Sequence, residues 1–188
     1  MRKALDFERI ISAAAELIEE KGFDKVTLSN IAERLGVKPP SLYNHLNGLS
    51  DVSDGLSRLG IYKMDEVIRN AAVGKNKDEA LMAMALAFRQ FALQNPELYK
   101  AILKYPRYTD GEIHETGQGI ARVIYQVLRE YHLSEEQLIH YSRAFRSALH
   151  GFVSLEEANF FTKNIDLNES YRFLVVTLIT SLQKAAGK

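Results

Sequence analysis

Apolar residues recur at helical spacing along almost the whole chain, and nowhere do they alternate as in a half-buried strand bounded by turn residues. The pattern predicts an all-α protein of about nine helices. Phe7, Ile10, Ile11, Ala14, Leu17 and Ile18 share one helical face, and Lys21-Gly22 ends that helix with a basic last turn and a C′ glycine. A second, short helix starts after Thr27, a good N-cap, places Leu28, Ile31, Ala32 and Leu35 inward, and stops at Gly36. Pro39-Pro40 opens a third, with Pro40 at the first helical position and Leu42 and Leu46 facing inward.

A fourth helix, capped by Ser50 or Asp51, connects a head at residues 1–49 to a larger domain at 74–188 and spans about 50–73. The fifth carries Leu81, Met84, Ala85, Phe88, Phe91 and Ala92 and is ended by Asn95-Pro96. A short sixth holds Leu98, Tyr99 and Ile102, residues 105–111 read as a loop, and a seventh carries Ile113, Ile120, Ile124, Val127 and Tyr131. Ser134 and Gln137 form a capping box that opens a long eighth helix with Leu138, Tyr141, Phe145, Leu149, Phe152 and Leu155 inward. In the last helix Tyr171, Leu174, Val175, Leu178 and Leu182 keep helical spacing, which outweighs its β-branched composition.

Composition narrows the class. The 188 residues are 46% hydrophobic and 26% charged with 4 prolines, as in a folded globular protein. The absence of cysteine excludes disulfides and thiolate metal sites and fits a reducing cytoplasm. The start of the chain lacks the apolar core of a secretory signal, and no apolar run approaches the roughly 18 to 20 residues of a membrane span. Lys plus Arg and Asp plus Glu each number 24, so the overall basicity of many nucleic-acid binders is missing. Locally the balance shifts: between Glu33 and Asp51 there is no acid, while Arg34, Lys38 and His45 lie inside that window.

That window coincides with residues 26–46, two short helices joined across Gly36. In a helix-turn-helix the first helix crosses the DNA backbone and the second sends its N-terminal residues into the major groove. Ser41 can bond a base edge or phosphate, Asn44 suits a bidentate contact with adenine, and Tyr43 and His45 can reach phosphates or a thymine methyl. Lys38 supplies charge, and the amides at Thr27 can hold a phosphate on the positive end of the helix dipole.

The combination of Thr-x-x-x-Ile-Ala at 27–32, Leu-Gly-Val at 35–37 and Leu-Tyr-x-His-Leu at 42–46 resembles the TetR family of transcriptional regulators over about the first 55 residues. The resemblance implies DNA contacts at Thr27, Lys38, Pro39, Ser41, Tyr43, Asn44 and His45. It also implies a repressor released from a palindromic operator by a small-molecule effector. The chain departs from the pattern at Leu49, where family members commonly carry a phosphate-gripping lysine at the start of the fourth helix.

Beyond residue 60 the helix count and lengths match the ligand-binding and dimerisation domain of such regulators, and His150-Gly151-Phe152 resembles the His-Gly element of one subfamily. Gly151, costly inside a helix by about 1 kcal/mol, suggests close approach of another backbone or ring. The last two helices are the expected homodimer interface. Aromatic walls for an effector pocket are offered by Phe88, Phe91, Tyr99, Tyr125, Phe145 and Phe161, and polar fixing points by His114, Arg122, Arg146 and His150. Aromatics at this spacing also serve plain core packing.

No nucleophile elbow, P-loop or paired histidine at i, i+4 is present, so no catalytic residue, metal or cofactor is predicted. Two other readings fit the same residues. One is a DNA-binding architectural or activator protein with a filled C-terminal core. The other is a helical ligand-binding or protein-interaction module without specific DNA binding, which Leu49 and the neutral net charge favour.

Overall fold

A computed structural model describes residues 4–104 and 122–187. Among the described residues there is no strand, and the fold is all-α. The α-helices are α1 (Phe7–Lys21), α2 (Leu28–Leu35), α3 (Leu49–Ala72), α4 (Lys77–Gln94), α5 (Pro96–Lys104), α6 (described over 122–129), α7 (Glu135–Glu157) and α8 (Leu167–Ala186). A six-residue 3-10 helix, Pro39–Asn44, stands where the third helix was expected. The loop expected at 105–111 and the start of the seventh helix, with Ile113 and Ile120, lie outside the described residues.

The chain forms two compact units, one containing residues up to Lys63 together with the segment from Asn95, the other containing Met64–Gln94 and the C-terminal helices. In the N-terminal unit, Ile10, Leu17 and Ile18 of α1, Ile31 of α2, Leu42 and Leu56 are essentially fully buried. The helix ends are made by local chemistry. Asp6 accepts from the Arg9 amide at 2.8 Å and caps α1, whose C-terminus is closed by Gly22 at φ 86 donating to the Ile18 carbonyl. Two glycines of α3 let its neighbours approach: a Cβ on Gly55 would stand 2.6 Å from Cγ1 of Ile11, and one on Gly60 would stand 2.7 Å from Cγ1 of Ile102.

α5 departs from the domain division drawn at residues 49 and 74, because it packs with the N-terminal unit. The reason is a pair of carboxylates. Glu19 of α1 accepts from the Glu97 and Leu98 amides at 3.3 and 2.8 Å, satisfying the open N-terminus of α5. Glu97 in turn accepts from the Phe23 amide at 2.9 Å, and Ser57 of α3 donates to the Ala101 carbonyl at 2.8 Å. A cleft of about 350 Å³ lies where the end of α1 and the turn at Phe23–Lys25 meet α5, bordered by Lys21, Lys25, Glu97 and Lys100.

In the C-terminal unit α4 packs against α7 and α8. A buried ion pair joins all three. Arg89 donates from Nε and Nη2 to the two oxygens of Glu156, at 2.7 and 2.5 Å, and from Nη1 to Asn168 at 2.8 Å. Its guanidinium also stacks toward Tyr171, 5.2 Å from the ring centre, and the hydrogen bond to Glu156 raises its pKa. Tyr171 donates its hydroxyl to the Ala85 carbonyl at 2.8 Å. Ser134 and Gln137 form the expected capping box, and Asp166 caps α8. Tyr131, expected inside the seventh helix, follows α6 in a turn and donates to Asp78, and that burial and hydrogen bond hold its phenol far above the usual pKa.

Candidate nucleic-acid interface

Thr27 caps α2 as the sequence predicts. Its Oγ1 accepts from the Asn30 amide at 3.3 Å, while Asn30 Oδ1 accepts from the Thr27 amide at 2.8 Å, a reciprocal capping box. Gly36 then adopts the left-handed conformation, φ 65 and ψ 36, that turns the chain at little cost. The next segment begins at Pro39 rather than Pro40 and is 3-10 in type, with Ser41 N bonded to the Lys38 carbonyl and His45 N to the Leu42 carbonyl, both at 2.9 Å.

Leu42 and Leu46 are buried at 0 and 3% exposure and pin this short helix to the unit. Tyr43, Asn44 and His45, between those anchors, are all exposed, Tyr43 at 59%. Lys38 and Pro39 are exposed, Ser41 is half-buried, and Thr27 stands exposed at the start of α2. Among the described residues the side chains of Lys38, Ser41, Tyr43, Asn44 and His45 have no hydrogen-bond or ion-pair partner. The result is a row of amide, phenol, imidazole and ammonium groups free to meet an outside surface.

One residue of the acid-free window does not belong to that row. Arg34 is tied back to α1, donating to Glu16 at 3.1 Å and to Glu20, and the bond to Arg34 lowers the pKa of Glu20. Its charge holds α2 against α1. The start of α3 also differs from expectation: the helix begins at Leu49, not after Ser50 or Asp51. Asp51 sits in its first turn and accepts from the Asn47 backbone and side-chain nitrogens at 2.8 and 2.9 Å. Leu49 is 45% exposed at this helix end.

The residues expected to line an effector pocket do not all come together. Phe88, Phe91 and Phe145 are buried in the C-terminal unit, and Phe88 meets His150 edge-on with ring centres 4.8 Å apart. Burial, then the nearby Arg146 charge, push the His150 pKa down to about 4. Tyr125 is half-buried, Arg122 and Arg146 are exposed, and His114 lies outside the described residues. Tyr99 is fully buried in the N-terminal unit, because α5 packs there. Phe161 is on the surface beside Phe152, 4.8 Å between ring centres. Gly151 faces outward on α7, and a Cβ there would have nothing within 4 Å among the described residues, so no close approach is made to it within this chain.

Two family models match the chain. Residues 10–46 match bacterial regulatory proteins of the tetR family, and residues 81–178 match a tetracyclin repressor-like C-terminal domain. An uncharacterized HTH-type transcriptional regulator of Bacillus subtilis, YobS, is 32% identical over 96% of this chain and 94% of its own length. Among solved structures, the transcriptional regulator SCO7222, a TetR from Streptomyces coelicolor, superposes with a TM-score of 0.77 at 20% identity, covering 97% of this chain and 100% of that one. A single-residue variant of TetR from Acinetobacter baumannii, in complex with minocycline, superposes with a TM-score of 0.69 at 21% identity, covering 97% and 99%. The helix-turn-helix, the all-α architecture and a full-length relative agree, and this chain belongs to the TetR family of DNA-binding transcriptional regulators.

Proposed function

We propose that this regulator is a cytoplasmic homodimeric repressor that reads a palindromic operator with residues 27–45 and leaves it when a small-molecule effector binds the C-terminal unit. The observation that carries the DNA reading is the row Tyr43, Asn44 and His45, exposed and without side-chain partners among the described residues, between two buried leucines. Thr27, Lys38 and Pro39 meet the phosphate backbone, Ser41 and Asn44 read base edges, and Tyr43 and His45 contact phosphates or a thymine methyl. With Leu49 in place of a lysine, the start of α3 offers the backbone an apolar side chain instead of a cation. Arg34 contributes no DNA contact, since α1 holds it.

Dimerisation is assigned to α7 and α8. On α8, Phe173 and Val176 are 74 and 51% exposed. On α7, Ala144, Ser147, Gly151 and Ser154 follow one another at helical spacing and all face outward, so a partner's bulky side chains can approach the helix closely. A two-fold pair places the two reading helices about 34 to 36 Å apart, one DNA turn. The effector binds among Phe88, Phe91, Phe145 and His150, and favours a dimer whose reading heads no longer match that spacing. Helix α3 is the lever, since it contributes residues to both units. The solved relative bound to minocycline supports the effector half of this reading.

Selection from random duplex DNA, followed by a salt titration of the winner, tests the proposal. One inverted repeat is expected, with affinity falling by about tenfold between 50 and 200 mM salt, since each head offers one lysine to the backbone. No enrichment at low salt would favour a ligand-binding or interaction module with a vestigial head.

A further inference from the structure

The cleft where the end of α1 and the turn at Phe23–Lys25 meet α5 lies within the N-terminal unit. It includes no residue of the DNA-reading row and none of those assigned to the effector. At about 350 Å³ it falls at the small end of ligand sites, which run to roughly 300–1,000 Å³. Three lysines line it, each from a different element: Lys21 from the last turn of α1, Lys25 from the 3-10 turn and Lys100 from α5. Half-buried Phe23 and fully covered Ala101 give it an apolar side.

Folding has gathered like charges here, and they repel one another unless something answers them. Asp24 and Glu97 also line the cleft, so three lysines against two carboxylates leave it one charge positive. Glu97 is already engaged: Oε1 accepts from Lys100 Nζ at 2.8 Å and Oε2 from the Phe23 amide at 2.9 Å. Lys21 and Lys25 are exposed, and their ammonium groups have no hydrogen-bond or ion-pair partner among the described residues. Glu20, beside Lys21 in the chain, is held by Arg34. Lys21 also answers the negative end of the α1 dipole, but a three-residue 3-10 turn gives Lys25 no comparable role.

We propose that this cleft is a second ligand site, on the DNA-reading unit itself, for a small organic anion: one phosphate or carboxylate on a compact apolar body. The Lys21 and Lys25 ammonium groups only donate, so the ligand's charged group must accept from them. Its apolar body lies against Phe23 and Ala101. A ligand there bridges α1 and α5, which Glu19 already joins, and strengthens the hold of the head on α5. The site stands whether or not the C-terminal unit binds an effector.

The test is calorimetric titration of the full-length chain at low salt, wild type and Lys21→Gln/Lys25→Gln, with phenyl phosphate, benzoate, benzyl alcohol and benzylammonium. One equivalent of at least one of the two anions is expected to bind each wild-type chain, about tenfold or more weakly in the variant and more weakly as salt rises. The alcohol and the ammonium should bind far less. Both lysines are exposed, so the variant should keep the wild-type far-UV circular dichroism; Lys21→Met/Lys25→Met takes its place if it does not. Anion binding unchanged in the variant, binding of the alcohol or ammonium equal to that of the anions, or no binding of either anion overturns the site. Operator titrations of the same proteins distinguish a free anion from a DNA phosphate. Unchanged operator affinity alongside lost anion binding supports the site. Weaker operator binding with a shallower salt slope, and no binding of either anion, assigns the lysines to the DNA backbone instead.

Discussion

Leu42 and Leu46 are buried and hold the backbone of the reading helix, so the polar tips of Tyr43, Asn44 and His45 can only point away from the unit. The roles proposed for these residues and for Lys38 separate by chemistry. Asn44→Ala should cost about 1–3 kcal/mol of operator affinity and relax preference at one base pair. Lys38→Ala should weaken all duplexes alike and, with one lysine lost from each head of the dimer, reduce the salt slope by about 2. Binding curves on the selected operator and its single-base variants distinguish the two, and equal losses on every duplex for Asn44→Ala would remove it from base reading. In the C-terminal unit, His150 makes a pH prediction. Its folded pKa of about 4 lies below the ordinary value of 6.5, chiefly through burial, so the unfolded chain takes up the proton first as pH falls. The stability contributed is full above pH 6.5 and is lost between 6.5 and 4, on the order of 2 kcal/mol after allowance for partial exposure. Urea midpoints at pH 7.5 and 5 should differ less in His150→Phe than in the wild type.

At the scale of elements, helix boundaries written in local chemistry were legible. The Thr27 cap and the Ser134 box form as read because donor and acceptor lie three residues apart on one chain, whatever the rest of the fold does, and Asn30 completes a second box at Thr27. The type of the reading helix was less so: the prolines marked its start, but α and 3-10 geometry differ by a single hydrogen-bond step over six residues. Close packing between elements was invisible, and Gly60 illustrates it. Inside a helix the sequence favours alanine over glycine by about 1 kcal/mol, yet a Cβ there runs into Ile102 and lies 3.2 Å from Leu98. Gly60→Ala should therefore destabilise the protein by about 1–3 kcal/mol, seen as a lower urea midpoint with unchanged slope. A rise in the midpoint would mean that Ile102 moves aside freely.

For the whole molecule, the prediction concerns assembly. Phe173→Glu should convert a dimer into monomers at micromolar concentration and leave far-UV circular dichroism unchanged, since Phe173 is exposed and makes no part of its own unit's core. Sedimentation equilibrium reads this directly, and a dimer that persists would move the interface away from α8. The amino-acid sequence by itself determined the all-α class and the helix-turn-helix with its outward row of side chains, because both rest on periodicity and on bonds between near neighbours. Only the tertiary structure decided which unit takes α5, and with it Tyr99, since that turns on Glu19 meeting amides nearly eighty positions along the chain. It alone showed that Arg34 is held by Glu16 and Glu20 and that Gly151 faces outward. Spacing along a chain fixes which side chains share a helical face, but what covers that face is set by long-range packing that no local pattern encodes.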